Sequence, residues 1–341
     1  MEAVKKYPVM LLMGLFTLCW SGISMADNWK NPDLLVDAKT VNDYVGKKGY
    51  VIVDCRDLKD YLKGHIPSAI SFGNRCKKAL RDTTARVFRD VEKYNRLFSK
   101  VGISNDDTVV YYYDGLGTLT DATVAFWVTE LMGHKKAKVL NGGLEAWRKA
   151  GYRLESNPVV REPAKFVAKF EPAAYAETAE ILKIAGDKKT ASQLVDSRTA
   201  KEHSGDDIRA IRGGTVPNTK LNVSHLDTLA SEKDPKTGKP KTTAYFDFDA
   251  ANKAFGGLDR KNRTIAFCQT GTRSTMTYLQ LRMLGFENVA NWDESWRVYG
   301  SHLDYPVEGE QWYNFADVNK KIKNLEKKVQ TLEAASKTAA K

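Results

Sequence analysis

Cysteine and histidine are scarce in this chain, four and five residues respectively out of 341. Cys19, Cys55, Cys76 and Cys268 are too widely spaced for the close pairs that hold zinc or attach haem, so neither a metal nor a cofactor is expected. Long apolar runs are missing as well. The most apolar stretch, Val9 to Trp20, is shorter than the ~20 residues a helix needs to cross a bilayer. No low-complexity tract occurs apart from a Lys/Ala-rich end, and 42% hydrophobic with 28% charged residues suits a globular chain.

What is present at the N-terminus reads as an export signal. Lys5 and Lys6 precede the apolar stretch, and Ser24-Met25-Ala26 supplies small residues before Asp27. A secretory signal peptide over residues 1–26, cleaved after Ala26, predicts a periplasmic or secreted protein without a transmembrane anchor. A lipid anchor on Cys19 is disfavoured by the bulky Leu18 before it. The net charge of +11 becomes +10 once Lys5, Lys6 and Glu2 are removed. In an exported protein this predicts attraction of small anions or acidic membrane surfaces rather than nucleic acid binding. Three cysteines then remain in an oxidising compartment, so one thiol stays free or pairs between chains. Cys55, following Val51-Ile52-Val53-Asp54, reads as a small core residue; a Cys55–Cys76 disulfide is the alternative.

Cys268 carries the strongest chemical signal. Thr264-Ile265-Ala266-Phe267 reads as a buried strand. After the loop Cys268-Gln269-Thr270-Gly271-Thr272-Arg273-Ser274, apolar residues at Met276, Leu279, Met283 and Leu284 mark a helix stopped by Gly285. A cysteine before a helix N-terminus meets unpaired N–H groups and the positive end of the helix dipole, and Arg273 adds a full charge. Both favour the thiolate, which is the nucleophile.

The chain also repeats itself. Val51-Ile52-Val53-Asp54-Cys55-Arg56 and Gln193-Leu194-Val195-Asp196-Ser197-Arg198 are the same strand followed by Asp-x-Arg. Gly64-His65-Ile66-Pro67 has a degraded counterpart in Ala210-Ile211-Arg212-Gly213-Gly214. Val109 to Tyr113 matches the strand before Cys268, and Asn141-Gly142-Gly143 to Trp147 matches Asn291 to Trp296. Alternating strand and helix patterns predict two α/β domains, each a mainly parallel sheet flanked by helices. They are expected at 27–153 and 173–308, joined by a Pro-containing linker at 154–172 and followed by a helical tail at 309–341. In this alignment Asp114 stands opposite Cys268, so the first domain is expected to be inactive.

With the Asp-x-Arg strand, the Gly-His-Ile-Pro turn, the Cys-x-x-Gly-x-Arg loop and the Gly-Gly-x-x-x-Trp segment in order, residues 33–308 resemble the tandem-domain rhodaneses, the thiosulfate and 3-mercaptopyruvate sulfurtransferases. The resemblance implies that Cys268 takes a sulfane sulfur from a small anionic donor and passes it to a thiol or cyanide. It implies catalytic roles for Cys268 and Arg273 and donor contacts from Gln269, Thr270, Gly271, Thr272, Arg198 and His65. Thr270, His65 and Asp57 could form a proton relay across the domains, as in some relatives, although His65 also fits as a turn residue. Arg198 reads first as a structural pair with Asp196 beneath the loop, with a donor contact as the alternative. Three departures leave the donor open. Arg273 is the only basic residue in the loop, Gln269 and Thr270 replace the Gly and Ser of mercaptopyruvate-specific members, and Glu202 stands where many relatives carry a donor-gripping arginine.

His134, His203, His225 and His302 show no partner pattern. In the tail, Phe315, Val318, Ile322, Leu325, Val329 and Leu332 alternate by three and four residues. This heptad spacing predicts a homodimer through a short coiled coil, or packing of the helix on its own domain. Two other functions use the same features: a persulfide-carrying or scaffolding protein with little turnover, and a loop phosphatase or arsenate reductase. The latter would need a proton-donating acid, which the loop lacks.

Overall fold

The computed structural model describes residues 28–81 and 88–339; the expected signal peptide lies outside them. The first domain holds five parallel strands, β1 (Leu35–Val36), β2 (Tyr50–Asp54), β3 (Ile70–Ser71), β4 (Thr108–Tyr112) and β5 (Ala137–Leu140), in the order β1-β5-β4-β2-β3. The second repeats the plan with β6 (Gln193–Asp196), β8 (Thr219–Asn222), β11 (Thr264–Phe267) and β12 (Val289–Asn291), in the order β12-β11-β6-β8. A single parallel bridge from Tyr175 to Asn291 stands where β1 stands in the first copy. Val51, Ile52 and Val53 in β2 and Leu194 and Val195 in β6 are buried, as expected of parallel strands covered on both faces.

Strand register aligns the copies and corrects the sequence alignment. Asp54 pairs with Tyr112 as Asp196 pairs with Phe267, so the residue opposite Cys268 is Tyr113, and Asp114 lies one position further on. Neither carries a thiol.

Leu116–Leu131 and Ser274–Met283, the helices after β4 and β11, face each other between the domains. Leu116–Leu131 is buried along most of its length, which explains a helix that is apolar nearly all round. Thr123 and Thr275 hydroxyls meet at 2.8 Å. The Tyr278 hydroxyl donates to Glu130 at 2.7 Å, and the Arg282 guanidinium pairs with the same carboxylate at 3.0 Å. One apolar core spans both copies, from Val53, Tyr111 and Trp127 to Met276, Leu279 and Met283.

Two elements were not visible in the sequence pattern. The hairpin β9 (Leu229–Lys233) and β10 (Pro240–Phe246) leaves the second domain and lies on the first. There the Ala244 carbonyl accepts from the Tyr113 hydroxyl, and the Phe246 N–H donates to Asn141 at 2.9 Å. Gly142 is required at this contact: its φ is +75°, and a Cβ would lie 2.1 Å from the Tyr245 ring. The strand β13 (Glu308–Trp312) pairs antiparallel with β7 (Arg212–Thr215) and roots the tail on the second domain. Residues 156–171 form no helix or strand and cross the first domain, where Phe166 is buried against Phe98.

Cys55 and Cys76 form a disulfide. This corrects the reading of Cys55 as a mere core residue: after helix Leu58–Lys63 and β3 the chain brings the start of helix Cys76–Leu80 back to the end of β2, where the Cys76 N–H donates to the Cys55 carbonyl at 3.3 Å. Cys268 is the free cysteine among the described residues.

Candidate active site

Cys268 follows β11 at the carboxyl edge of the second sheet, where ligands of parallel α/β folds collect. Its sulfur is fully buried. The five loop carbonyls that begin there are all engaged from outside. Cys268 and Gln269 accept the Trp296 and Arg297 N–H groups at 3.0 and 2.9 Å, and Thr272 accepts the Thr275 N–H at 3.3 Å. The Thr270 carbonyl accepts from Arg81 at 2.6 Å, and that of Gly271 from the Asn291 amide at 3.1 Å. In a trans peptide the N–H points opposite to the carbonyl, so outward carbonyls turn the following N–H groups inward as an anion-binding nest. The Thr270 and Ser274 N–H groups help to hold the Cys268 pKa down, and the Ser274 hydroxyl donates to Asn291 at 2.6 Å.

Burial by itself raises the Cys268 pKa. The Arg273 charge, these N–H groups and the Ser274 hydroxyl outweigh it, and the thiol lies below its ordinary value. Arg273 also forms a fork with Glu202, at 2.7 Å on both sides. Burial would raise the Glu202 pKa too, but the Arg273 hydrogen bonds and charge bring it down to about 2. Glu202 is fixed in turn by a capping box with Thr199 at the start of helix Ala200–Ser204. The residue that replaces a donor-gripping arginine thus orients the arginine of the thiolate loop.

Gly271 has a φ of +71°, and a Cβ there would lie 2.4 Å from the Asp293 carbonyl oxygen; the loop cannot follow this path with another residue. Ser295 adopts a φ of +53°, an uncommon conformation outside glycine. Its hydroxyl accepts from the Cys268 N–H at 3.1 Å and donates to the Trp292 carbonyl at 2.7 Å. Gln269 donates to the Arg209 carbonyl at 2.6 Å, and the Thr270 and Thr272 hydroxyls lie 3.5 Å apart.

Arg198 and His65 are buried, and each is hydrogen-bonded within its own domain. Arg198 is 1% exposed and lies beneath the loop. It forks onto Asp196 at 2.7–3.0 Å, donates to the Gly214 carbonyl at 2.8 Å and stacks on Trp296. Arg56 repeats this arrangement with Asp54 and Gly64 in the first domain, so the Asp-x-Arg motif ties a strand end to the following turn. His65 is fully buried in the first domain, with Nδ1 on the Tyr61 carbonyl, its ring stacked on Tyr61 and its backbone bridged to Glu155. None of these partners belongs to the cysteine loop, and Asp57 sits at the N-cap of helix Leu58–Lys63.

Sequence reasoning missed three neighbours. Arg81 reaches from the first domain to the Thr270 carbonyl and the Thr272 hydroxyl, and pairs with Asp293 at 2.7 Å. His203 meets Asp196 at 2.9 Å. His225 places a buried, unpartnered Nδ1 near Arg273. Burial first, and then the Arg273 charge, depress its pKa to about 4, so it is neutral at physiological pH. No local pattern marks any of the three; each acts through contacts distant in sequence. Among the described residues no side-chain cluster suits a metal.

Comparison with known proteins fits this geometry. A rhodanese-like domain profile matches residues 37–150, the first copy. A putative thiosulfate sulfurtransferase of Mycobacterium bovis is 33% identical over 288 residues, covering 81% of this chain and 98% of the relative. The thiosulfate sulfurtransferase of Corynebacterium glutamicum is 31% identical over 309 residues, covering 86% and 96%. The crystal structure of Escherichia coli SseA, described as a 3-mercaptopyruvate sulfotransferase of rhodanese fold, superposes with a TM-score of 0.62 at 25% identity, covering 77% of this chain and 98% of that one. With two copies of the fold, a cysteine loop in the second and relatives matched over nearly their whole length, the chain belongs to the rhodanese family and is a rhodanese-type sulfurtransferase.

Proposed function

We propose that this enzyme moves a sulfane sulfur from a small anionic donor to a thiol or cyanide through a persulfide on Cys268, outside the cytoplasm. The observation that carries the reading is the placement of the buried Cys268 sulfur at the start of a loop whose carbonyls are engaged from outside, where the Arg273 charge helps to hold the thiol below its ordinary pKa. The thiolate attacks the outer sulfur of the donor, and the donor's bond to that sulfur breaks. With thiosulfate the leaving group is sulfite. The new terminal sulfur carries the negative charge, and the inward N–H groups and Arg273 suit that anion as they suit the thiolate. Attack by the acceptor on the terminal sulfur then restores the Cys268 thiolate.

The Cys55–Cys76 disulfide supports the export part of this reading, because structural disulfides persist in oxidising compartments. N-terminal sequencing of protein from its native compartment should begin at Asp27; a retained Met1 would refute export.

A carrier that loads sulfur but turns over little is favoured by one observation: the charge of Arg273 is already matched by Glu202. Sulfite release from thiosulfate with cyanide as acceptor separates the two. Many equivalents per chain support the enzyme, and a burst of one supports the carrier.

A further inference from the structure

We propose that the C-terminal helix is one strand of a parallel, two-stranded coiled coil formed with a second copy of this chain. The proposal is independent of the sulfur chemistry. Helix Phe315–Ala339 has 25 residues, about 37 Å of helix. Its described residues are exposed on every face, including Phe315 at 73%, Leu325 at 60% and Leu332 at 70%. The globular domains therefore do not cover its apolar stripe, and a lone helix in water gains little from propensity alone.

The sequence of the stripe specifies the partner. Phe315, Ile322 and Val329 take one seam position of the heptad (a), and Val318, Leu325 and Leu332 take the other (d). β-Branched Ile322 and Val329 at the first and leucine at the second favour two parallel strands. The flanking charges choose between orientations. Lys321 and Lys328 occupy the positions just before each new heptad (g), and Glu326 and Glu333 the positions just after the second seam residue (e). In a parallel pair, Lys321 of one copy meets Glu326 of the other, and Lys328 meets Glu333. An antiparallel pair would set lysine against lysine and glutamate against glutamate, so the flanks select a parallel pair of identical helices. The helix is also fixed at its base, because β13 pairs with β7 and the Tyr313 hydroxyl donates to the Ile208 carbonyl. Dimerisation would hold two catalytic units side by side.

Sedimentation equilibrium on the full mature chain at micromolar concentration should give a dimer. K321E/K328E should weaken it at least about tenfold through like-charge contacts. Mixing that variant with E326K/E333K should restore a dimer holding one copy of each. Leu332→Cys should form an interchain disulfide under mild oxidation, because parallel strands bring the two Leu332 positions together. Sulfurtransferase activity per chain serves as the folding control and should stay unchanged in all variants. A monomer at tens of micromolar, as expected if the stripe serves another protein, would overturn the proposal. So would a dimer indifferent to the charge swap, or a Leu332→Cys variant that stays dimeric yet forms no cross-link.

Discussion

After β4 the chain enters its next helix three residues beyond Tyr113, whereas after β11 it takes six residues from Cys268 to Ser274. That difference separates a strand end without a converging loop from one that has it. In the first copy there is no room for a loop whose N–H groups converge, and the Tyr113 side chain, fully buried, hydrogen-bonds the Ala244 carbonyl and receives the Gly142 N–H. In the second copy the longer path provides the nest. Each strand end is also completed by the opposite domain: hairpin β9–β10 covers the first, and Arg81 holds the loop of the second. The two copies thus differ in their strand ends and are tied to each other at both of them.

The comparison breaks most readily at Arg273. Arg273→Ala should lower kcat/KM for thiosulfate on the order of a hundredfold, as for loss of a preorganised electrostatic group. It should also raise the lower inflection of the pH–rate profile. The Arg273 charge holds the Cys268 pKa down, so wild-type activity persists as pH falls until the thiolate is protonated at that lowered pKa, and without the charge the loss begins at higher pH. An unmoved inflection would remove Arg273 from thiolate control.

Arg81→Ala tests whether the first domain acts on the site. Freeing the Thr270 carbonyl and Thr272 hydroxyl should let the loop relax, at a cost of about ten- to a hundredfold in kcat, the scale of a small misplacement. Partial recovery in Arg81→Lys would mark positioning. Full activity in Arg81→Ala would reduce the first domain to a structural support alone.

Paired Cys55→Ala and Cys76→Ala should cost about 3 kcal/mol of stability in denaturant unfolding, the scale for a bridge of this span. Activity should fall less, since the disulfide reaches the loop only through helix Cys76–Leu80 and the Arg81 that follows it. The smallest effect is expected of Tyr113→Phe, about 1 kcal/mol for hydrogen bonds lost at a buried hydroxyl, with turnover intact.

The sequence made legible whatever is local. Strand, loop and arginine around Cys268 lie within ten residues of one another, and the two Asp-x-Arg forks repeat the same short-range geometry, so the duplicated α/β plan and the candidate cysteine loop could be read directly. Position in the sheet could not. Matching Asp114 to Cys268 misses by one residue, because only the pairing of Asp54 with Tyr112 defines the strand end. The contact of Arg81 with Thr270 spans 189 positions and leaves no trace in periodicity. His225 and hairpin β9–β10 were hidden for the same reason, and the Cys55–Cys76 pairing stood only as the alternative to a core role for Cys55. Arg198 and His65 carry family motifs, but their burial and partners in the fold show what those motifs hold in place.

The central claim is that the longer loop makes Cys268 a sulfur carrier while the first domain carries none. Intact-protein mass spectrometry with peptide mapping after exposure to thiosulfate tests it most directly. The account predicts a gain of one sulfur on Cys268, removed by cyanide and absent in Cys268→Ser, because a hydroxyl is a far weaker nucleophile than a thiolate at neutral pH. Sulfur found on another residue, or steady turnover by Cys268→Ser, would contradict it.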